Sequence, residues 1–309
     1  MRVAVSGSTG LVGSEVVTGL SAAGQEVVRL VRHAPVPGEG AVRWDPAKGE
    51  IDAAGLEGLD AVVHLAGENV GSGRWSSARK AAIRDSRVNG TRLLCEALAG
   101  LDRPPKTLVC ASAIGYYGDR GAEPLTEESP HGAGFLAGVC REWEAASGPA
   151  VRKGIRVVAL RIGVVLSPKG GALSRMLPPF RAGFGGVLGG GRQYVSWIAI
   201  DDLPLVIFHA LQRGELSGPV NAVAPYPVTN REFTEALGKV LSRPTPFPVP
   251  AFALRLGLGR EMADALLLAS ARVVPRRLEE TGYRFRFPEL PAALRHLLGR
   301  AGGAGRGID

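Results

Sequence analysis

A glycine-rich turn near the start of the chain constrains the fold more than any other feature. Residues 7–13 read G-S-T-G-L-V-G, after a short apolar strand predicted over 3–5 and before a helix predicted over 11–23. Glycines at this spacing let the chain turn tightly, let backbone N–H groups approach a pyrophosphate, and let the helix pack against the strand. The pattern predicts a dinucleotide site, and the alternative is an ordinary structural turn.

The first half of the chain alternates short apolar strands with longer helical stretches. The predicted strands are 3–5, 26–31, 41–44, 60–66, 107–112 and 155–162, and the main helices between them are 11–23, 76–99 and 136–153. Apolar strands separated by helices are typical of a parallel sheet that is covered on both faces. We therefore predict an α/β fold with a doubly wound parallel sheet of the Rossmann type.

The pattern changes after about residue 166, where glycine and proline become frequent. A strand over 194–200, a helix from 201, a helix over 229–241 and an extended linker over 244–250 follow. We predict a Rossmann domain from 1–165 and 198–225, a smaller, mainly helical substrate lobe from 166–197 and 226–300, and a frayed tail over 301–309.

Composition excludes several classes of protein. The chain has 309 residues, of which 45% are hydrophobic, so we expect an ordered core. Its three cysteines show no C-x-x-C spacing, which excludes a disulfide scaffold and a cysteine-rich zinc site, and no metal is expected. Neither a membrane span nor a signal peptide is predicted, which suits a cytoplasmic protein. The net charge of +8 is scattered, which favours a solvated surface and a phosphate-bearing ligand over nucleic acid.

The end of the second predicted strand indicates the type of dinucleotide. A site for NAD needs Asp or Glu about 20 residues after the glycines, to hold the ribose 2′-hydroxyl. No acidic residue occurs between Val27 and Glu39, and Arg32 stands 19 residues after Gly13. Arginine binds a 2′-phosphate through forked, charge-assisted hydrogen bonds. We predict NADP(H) as the cofactor, the alternative being an exposed arginine at a strand end.

Several motifs together resemble the short-chain dehydrogenase/reductase superfamily. They are G-S-T-G-L-V-G (7–13), V-H-L-A-G-E-N (63–69), A-S-A-I-G-Y-Y-G (111–118), R-I-G-V-V-L-S-P-K-G-G-A-L (161–173) and V-P-R-R-L-E-E-T-G-Y-R-F-R-F-P-E-L (274–290). More narrowly, the chain resembles the atypical subgroup of epimerase family proteins, similar to NAD-dependent epimerase/dehydratases, with that subgroup's C-terminal extension. The resemblance covers residues 1 to about 299.

The resemblance implies cofactor contacts at the carboxyl ends of four strands. The expected contacts are Gly7, Thr9, Gly10, Leu11 and Val12 at the pyrophosphate, Arg32 at the adenosine phosphate, Leu65, Ala66 and Gly67 along the sugar, and Gly163 and Val164 beside the nicotinamide. Extended relatives often have Asn where Arg87 stands, so Arg87 is expected to contact the cofactor or a phosphate. The alternative for Arg87 is an ordinary arginine on a helix surface.

The usual catalytic pattern of the superfamily is absent from this chain. Short-chain reductases pair a serine with Tyr-x-x-x-Lys, in which the lysine lowers the pKa of the phenol. Ser112 fits the serine, but Phe135 and Val139 stand where tyrosine and lysine are expected. Neither side chain can transfer a proton. Restoring the phenol alone, as Phe135→Tyr, should therefore change activity little, unless a cation from elsewhere, such as Arg87 or Lys153, already serves the site.

Other residues are candidates for the acid/base role and for substrate contacts. Tyr116 and Tyr117 are the phenols nearest to Ser112, although an aromatic pair in a loop also suits simple packing. Further polar candidates are Glu68, Asn69 and His131, and the predicted substrate contacts are Arg181, Arg192, Gln193 and Trp197, with Trp75 and Arg79 as further walls. Arginines in this region favour an anionic ligand, the alternative being that they are solvated.

Two functions from different classes follow from these patterns. The first is an NADP(H)-binding oxidoreductase or nucleoside-sugar-epimerase-like enzyme that acts on a small anionic substrate. The second is a catalytically weak protein that senses NADP(H) and acts through a partner, which the loss of the tyrosine and lysine favours. The resemblance also allows a homodimer.

Overall fold

The computed structural model describes residues 1–36 and 38–300. The predicted frayed tail, 301–309, lies outside the described residues. The strands are β1 (Arg2–Ser6), β2 (Glu26–Val31), β3 (Ala41–Asp45), β4 (Glu50–Ile51), β5 (Ala61–His64), β6 (Thr107–Ala113), β7 (Pro124–Leu125), β8 (Arg156–Ile162), β9 (Val164–Ser167), β10 (Tyr194–Val195), β11 (Trp197–Ala199), β12 (Gly218–Ala222), β13 (Val228–Thr229) and β14 (Arg272–Val273). The α-helices are α1 (Leu11–Ala22), α2 (Ser77–Gly100), α3 (Phe135–Ala145), α4 (Gly148–Arg152), α5 (Gly171–Arg181), α6 (Asp202–Gln212), α7 (Asn230–Leu241), α8 (Ala251–Leu258), α9 (Arg260–Ala263), α10 (Arg276–Glu280) and α11 (Leu290–Leu297).

Eight strands form the main sheet, in the order β12-β8-β6-β5-β1-β2-β3-β4. Every neighbouring pair is parallel except β3 with β4. The chain builds β1, β2 and β3 towards one edge and then returns to add β5 on the other side of β1. The order therefore reverses between β1 and β5, and in such sheets ligands bind beyond the carboxyl ends of the strands at this reversal. The predicted doubly wound fold is confirmed.

Helices cover both faces of the sheet, as the strand sequences require. On β1, Val3 and Val5 face a core shared with α1 and α6, whereas Ala4 faces a core shared with α2 and α4. All three side chains are fully buried. Since alternate residues of a strand point to opposite faces, a strand buried on both sides must be apolar throughout.

A third core lies in the C-terminal part of the chain. It joins α5, α7 and α11 around Trp197, which is fully buried on β11. The carboxylate of Asp202, at the start of α6, accepts the backbone N–H groups of Arg286 (2.7 Å) and Phe287 (3.0 Å). This buried carboxylate attaches the C-terminal segment to the Rossmann sheet through α6.

Two predicted elements differ from the structure. The helix predicted over 136–153 is two helices, α3 and α4, because Pro149 lies in the first turn of α4 and lacks the N–H that a continuous helix needs. The strand predicted over 194–200 is also two strands: β10 pairs with β13, whereas β11 pairs with β9. Ser196 separates them, and its hydroxyl donates to the carbonyl of Ala271 at 2.7 Å.

Candidate functional site

The glycine turn forms a close-fitting cradle at the carboxyl end of β1. Gly7 has a φ of +68°, and a Cβ there would lie 2.9 Å from the backbone nitrogen of Ala66. A Cβ at Gly13 would lie 2.0 Å from the carbonyl oxygen of Gly7. Gly10 caps α1 without any side-chain hydrogen bond, so N–H groups of the first helical turn have no side-chain acceptor. Uncapped N–H groups at the positive end of a helix favour a phosphate.

The cradle places the predicted pyrophosphate contacts together. Thr9 and Gly10 are exposed, whereas Leu11 and Val12 are half-buried at the start of α1. The side chain of Leu11 also lies close to the turn before α5: a Cβ built at Gly170 would be only 3.3 Å from it. The start of α5 therefore lies directly against the cradle.

The loop after β5 is held against the cradle by a buried serine and histidine. Ser6 and His64 are paired in register on β1 and β5, and Ser6 Oγ lies 2.7 Å from His64 Nδ1. Ser6 Oγ also accepts the backbone N–H groups of Leu65 (3.1 Å) and Ala66 (3.3 Å). These bonds fix the two half-buried residues that the resemblance places along the cofactor's sugar, and exposed Gly67 follows them.

The hydrogen bonds assign the proton of His64. Both lone pairs of Ser6 Oγ are occupied by backbone donors, so its own proton goes to His64 Nδ1. His64 Nε2 then carries the ring proton and donates to Thr91 Oγ1 at 3.1 Å, which also accepts from Trp143 Nε1 at 2.9 Å. Burial lowers the pKa of His64 to about 4, so the ring is neutral at physiological pH.

Two arginines near this edge of the sheet form no ion pair with a carboxylate among the described residues. Arg32 is exposed immediately beyond β2, and no ion pair involves it among residues 1–36 and 38–300. Arg87, on α2, is half-buried beside the β5 loop: a Cβ at Gly67 would lie 3.3 Å from its guanidinium carbon. Its described hydrogen bond goes to the carbonyl of Ile83 at 3.0 Å, and its guanidinium lies 5.0 Å from the ring centre of Trp143. Burial lowers the pKa of Arg87, because the charged guanidinium loses hydration there. An anion bound beside it would offset that loss.

Gly163 and Val164 lie at the same edge of the sheet, where the chain leaves β8. The N–H of Gly163 donates to Ala222 O at 3.1 Å, and that of Val164 donates to Ser196 O at 2.9 Å. A Cβ at Gly163 would lie 2.7 Å from Ser196 O, so only glycine fits there. The structure thus places the predicted cofactor residues at the carboxyl ends of β1, β2, β5 and β8, with Arg87 on α2 beside the β5 loop.

Ser112 belongs to a buried ionic network that the sequence interpretation missed. Ser112, Arg161 and Asn221 are side by side in register on β6, β8 and β12. Arg161 pairs with both carboxylate oxygens of Glu144 on α3 at 2.9 Å, and Ser112 Oγ donates to Glu144 Oε1 at 2.7 Å. Burial opposes the charge of Arg161, but Glu144 holds its pKa above the ordinary value. Ser112 is 3% exposed, so its hydroxyl is used inside the protein.

Tyr117 extends this network. Its hydroxyl donates to Asn221 Oδ1 at 2.7 Å and accepts from Arg161 Nη1 at 3.0 Å. The residue is fully buried, and burial raises the pKa of the phenol to about 12. Tyr116 is half-buried, with the guanidinium of Arg161 only 3.4 Å from its ring centre. A polar residue within each of three apolar strands was the signal that could have revealed this cluster.

Phe135 lies in a mixed aromatic and charged group at the start of α3. Its ring meets Trp75 edge to face, with the centroids 5.2 Å apart. Lys80 Nζ, from α2, lies 5.1 Å from the centre of the Phe135 ring and 3.0 Å from both carboxylate oxygens of Glu261 on α9. Neither Lys80 nor Glu261 was predicted as a site residue. Val139, one turn further along α3, is 4% exposed.

The predicted substrate contacts divide into two groups. Arg181 and Arg192 are exposed and free to meet a ligand. Gln193 is buried, and its Nε2 donates to the carbonyls of Leu188 (3.0 Å) and Leu267 (3.1 Å). Trp197 is fully buried in the C-terminal core, with Nε1 donating to Tyr226 O at 3.2 Å.

The remaining polar candidates are paired or exposed. Arg79 Nη1 binds Glu68 Oε2 at 3.0 Å, and its other amino group donates to Asn69 O. His131 is exposed, with Nδ1 2.9 Å from Gly132 O. Lys153 is exposed just beyond α4.

Two further arginines connect the loop between β5 and α2 to the C-terminal half: Arg175 reaches into the loop, and Arg74 extends out of it. Arg175, from α5, donates to the carbonyl of Gly71 at 2.7 Å. Arg74 donates to the carbonyls of Leu256 (2.7 Å) and Gly257 (3.2 Å) at the end of α8. Throughout the described residues, neither guanidinium has a carboxylate partner. Sequence spacing could not find them, because their partners lie about a hundred or more residues away.

Among residues 1–36 and 38–300, no group of three or more His, Cys, Asp or Glu is placed to hold a metal ion. No helix within these residues is long and apolar enough to span a membrane.

Comparison with known protein families agrees with this geometry. The model of the NAD dependent epimerase/dehydratase family matches residues 3–223, which include the glycine cradle, the β5 loop and β12. The chain belongs to the NAD dependent epimerase/dehydratase family. The resemblance inferred from the sequence motifs is confirmed. A domain of unknown function (DUF1731) matches residues 249–297, which contain α8 to α11.

Several relatives are similar to this chain along nearly its whole length. Epimerase family protein Mb2239 of Mycobacterium bovis is 45% identical over 300 residues, covering 97% of this chain and 98% of the relative. The crystal structure of human epimerase family protein SDR39U1 (isoform 2) with NADPH has a TM-score of 0.87 and 37% identity, covering 97% of this chain and 99% of the human one.

A third relative carries a more specific description. The nucleoside-diphosphate sugar epimerase from Corynebacterium glutamicum has a TM-score of 0.78 and 42% identity. The match covers 97% of this chain but 58% of the Corynebacterium chain.

Proposed function

We propose that this chain is an NADP(H)-dependent atypical short-chain dehydrogenase/reductase, acting as an oxidoreductase or epimerase-like enzyme on a small anionic substrate. One observation carries the proposal: an uncapped glycine cradle lies at the carboxyl end of β1, with Arg32 just beyond the neighbouring strand β2 and Arg87 beside the β5 loop, and neither arginine forms an ion pair among the described residues. An anionic dinucleotide supplies the missing negative charge. The NADPH in the human relative's crystal supports the same cofactor.

Each part of the cleft has a distinct binding role in this proposal. The N–H groups after Gly10 hold the pyrophosphate, Arg32 holds the adenosine 2′-phosphate, and Arg87 contacts a phosphate beside Gly67. When bound, the nicotinamide supplies hydride chemistry at its reactive ring. Gly163 lets β8 pass close to Ser196, because any side chain there would collide with the backbone of Ser196, and this close packing fixes the backbone that would line the nicotinamide.

The anionic character of the substrate rests on the arginines around the cleft. Arg74 and Arg175 donate to backbone carbonyls and form no ion pair within the described part of the chain. Arg181 and Arg192 are exposed and add to the positive charge of the C-terminal half. Guanidinium groups of this kind suit carboxylates and phosphates through forked hydrogen bonds.

The second candidate is a protein that binds NADP(H) with little turnover and acts through a partner. Two observations favour it: Phe135 and Val139 cannot transfer protons, and Ser112 and Tyr117 direct their hydroxyls to interior partners. On this proposal the buried network holds the strands in place, and cofactor binding changes only the surface shown to a partner.

Calorimetry with NADPH and NADH tests the cofactor assignment. The native protein should bind NADPH more tightly, and Arg32→Ala should narrow the preference by about 1–3 kcal/mol because a charge-assisted contact is lost. Arg87→Met should instead weaken both cofactors, by about tenfold. Arg213→Ala removes an exposed arginine after α6 and serves as the control. Equal affinity of the native protein for the two cofactors would refute the role of Arg32.

Turnover separates the two candidate functions. A panel of anionic carbonyl compounds and sugar nucleotides, followed through NADPH absorbance and product analysis, should contain substrates of the enzyme. Robust turnover would exclude the sensor. Tight NADPH binding with no turnover across the panel would favour the sensor.

A further inference from the structure

On the proposed function, the nicotinamide end of the site, its reactive end, needs a group that can stabilise negative charge on a substrate. Ser112 is committed to Glu144, and Tyr117 is fully buried between Asn221 and Arg161. Beside Phe135, which stands where the superfamily has its tyrosine, lies an ammonium group instead, that of Lys80, whose side chain is 32% exposed. Lys80 therefore combines a charge with partial exposure next to this position.

The surroundings of Lys80 come from three separate parts of the chain. Phe135 and Trp75 form an aromatic wall on one side, with Lys80 Nζ 5.1 Å from the Phe135 ring centre. On another side, both carboxylate oxygens of Glu261 lie 3.0 Å from Nζ. Arg74 holds the neighbouring end of α8 through the carbonyl of Leu256. The aromatic wall excludes water from one side of the ammonium, which strengthens its field towards the cleft.

Glu261 belongs to the C-terminal segment that matches the domain of unknown function. The Rossmann part supplies the cation and the C-terminal segment supplies its counter-ion. Glu261 is 49% exposed, and partly exposed ion pairs of this kind contribute little to stability. This ion pair contributes little to stability, joins two parts of the chain and lies beside Phe135, which suits a functional role.

We propose that Lys80 is the charge-bearing residue of the reactive end, where its ammonium stabilises negative charge on a substrate oxygen, and that Glu261 is its positioning counter-ion. This inference rests on the proposed oxidoreductase or epimerase-like function. The ammonium keeps its proton and acts electrostatically, as a fixed donor directed at an oxygen that gains charge. The C-terminal segment then completes the reactive end by fixing the direction of the Lys80 side chain.

A phenol introduced at Phe135 reports the field of Lys80 without any substrate. In Phe135→Tyr the new hydroxyl lies on the ring that Lys80 faces, so the ammonium should lower the phenol's pKa. With the 5.1 Å between Nζ and the ring centre as the distance scale, Coulomb's law at an effective dielectric of about 40–80 gives roughly half a unit to one unit, a three- to tenfold change in phenolate fraction. Tyrosinate absorbance of the variant minus that of the parent isolates this group from the five native tyrosines.

Companion substitutions identify the source of the shift. Adding Lys80→Met to Phe135→Tyr should raise the phenol's pKa again, whereas Lys80→Arg should leave it low. Adding Glu261→Gln should lower it further, because the compensating negative charge is removed. Arg84→Met is the matched control, since Arg84 lies one turn along α2 and pairs with Glu142 instead. An introduced phenol that titrates equally with and without Lys80 would overturn the proposal.

Kinetics with a substrate found in the panel complete the test. Lys80→Met should lower kcat by about 100-fold, as removal of one electrostatic donor typically does, while Lys80→Arg retains most activity. The affinity for NADPH and the activity of Arg84→Met should be unchanged. An unchanged kcat in Lys80→Met refutes the role of Lys80. A panel without turnover refutes the proposed enzyme instead, while the phenol titration still decides the field at Phe135.

Discussion

The stability of the protein should fall steeply in mild acid because of His64. The ring is fully buried, and burial lowers its pKa from the ordinary 6.5 to about 4. In the unfolded chain the same ring takes up a proton below about pH 6.5, so protons favour unfolding. The contribution of neutral His64 to the free energy of unfolding is therefore fully present above pH 6.5 and is lost progressively as the pH falls from 6.5 to about 4.

The size of the effect follows from the two pKa values. At about 1.36 kcal/mol per unit, the full shift corresponds to roughly 3 kcal/mol, of which about 2 kcal/mol is lost between pH 8 and pH 5. His64→Gln removes the titrating group while keeping an amide that can bond Ser6 or Thr91. The variant should be less stable than the native protein at pH 8. Between pH 8 and pH 5, however, it should lose about 2 kcal/mol less of its free energy of unfolding than the native protein does.

Urea unfolding at a series of pH values measures this difference directly. His131→Gln is the control, because His131 is exposed and outside the Ser6 network. Nuclear magnetic resonance of the ring gives a second readout: His64 should stay neutral from pH 8 to pH 5, with the proton on Nε2. Equal losses of stability in native protein and His64→Gln, or a ring that titrates near its ordinary pKa, would refute the reasoning.

Three further perturbations test the cradle, the buried network and the C-terminal attachment. Gly13→Ala places a Cβ 2.0 Å from Gly7 O, so calorimetry should show at least a tenfold loss of NADPH affinity. Gly100→Ala is the control: a Cβ there meets nothing within 4 Å, so this variant should bind NADPH as the native protein does. Glu144→Gln leaves the buried charge of Arg161 without its anion and should lower the free energy of unfolding in urea by about 3–5 kcal/mol. A loss as small as that expected for an exposed ion pair would contradict this prediction. Asp202→Ala removes the acceptor for two backbone N–H groups and should cost about 1–3 kcal/mol, with faster hydrogen exchange in the segment after Tyr283; unchanged exchange there would contradict the attachment.

The sequence alone determined the features that depend on short stretches of chain. The glycine cradle, the strands apolar on both faces and the doubly wound sheet all follow from local spacing and periodicity, and the family comparisons and the fold confirm them. That Phe135 and Val139 occupy the places of the superfamily's tyrosine and lysine is also a prediction from local spacing, since it concerns two positions on one helix. Local patterns are readable because neighbouring residues must share one backbone geometry.

Tertiary structure alone decided which polar groups face the cleft. Ser112 is a plausible catalytic residue in the sequence, but its hydroxyl turns to Glu144, which is 32 residues away. Lys80 and Glu261 carry no signal in the sequence, because 181 residues separate them and only the packing of α9 beside α2 brings their charges within 3.0 Å. The physical reason is that a side chain's partners depend on packing between distant elements, whereas strand and helix formation depends mainly on nearby residues.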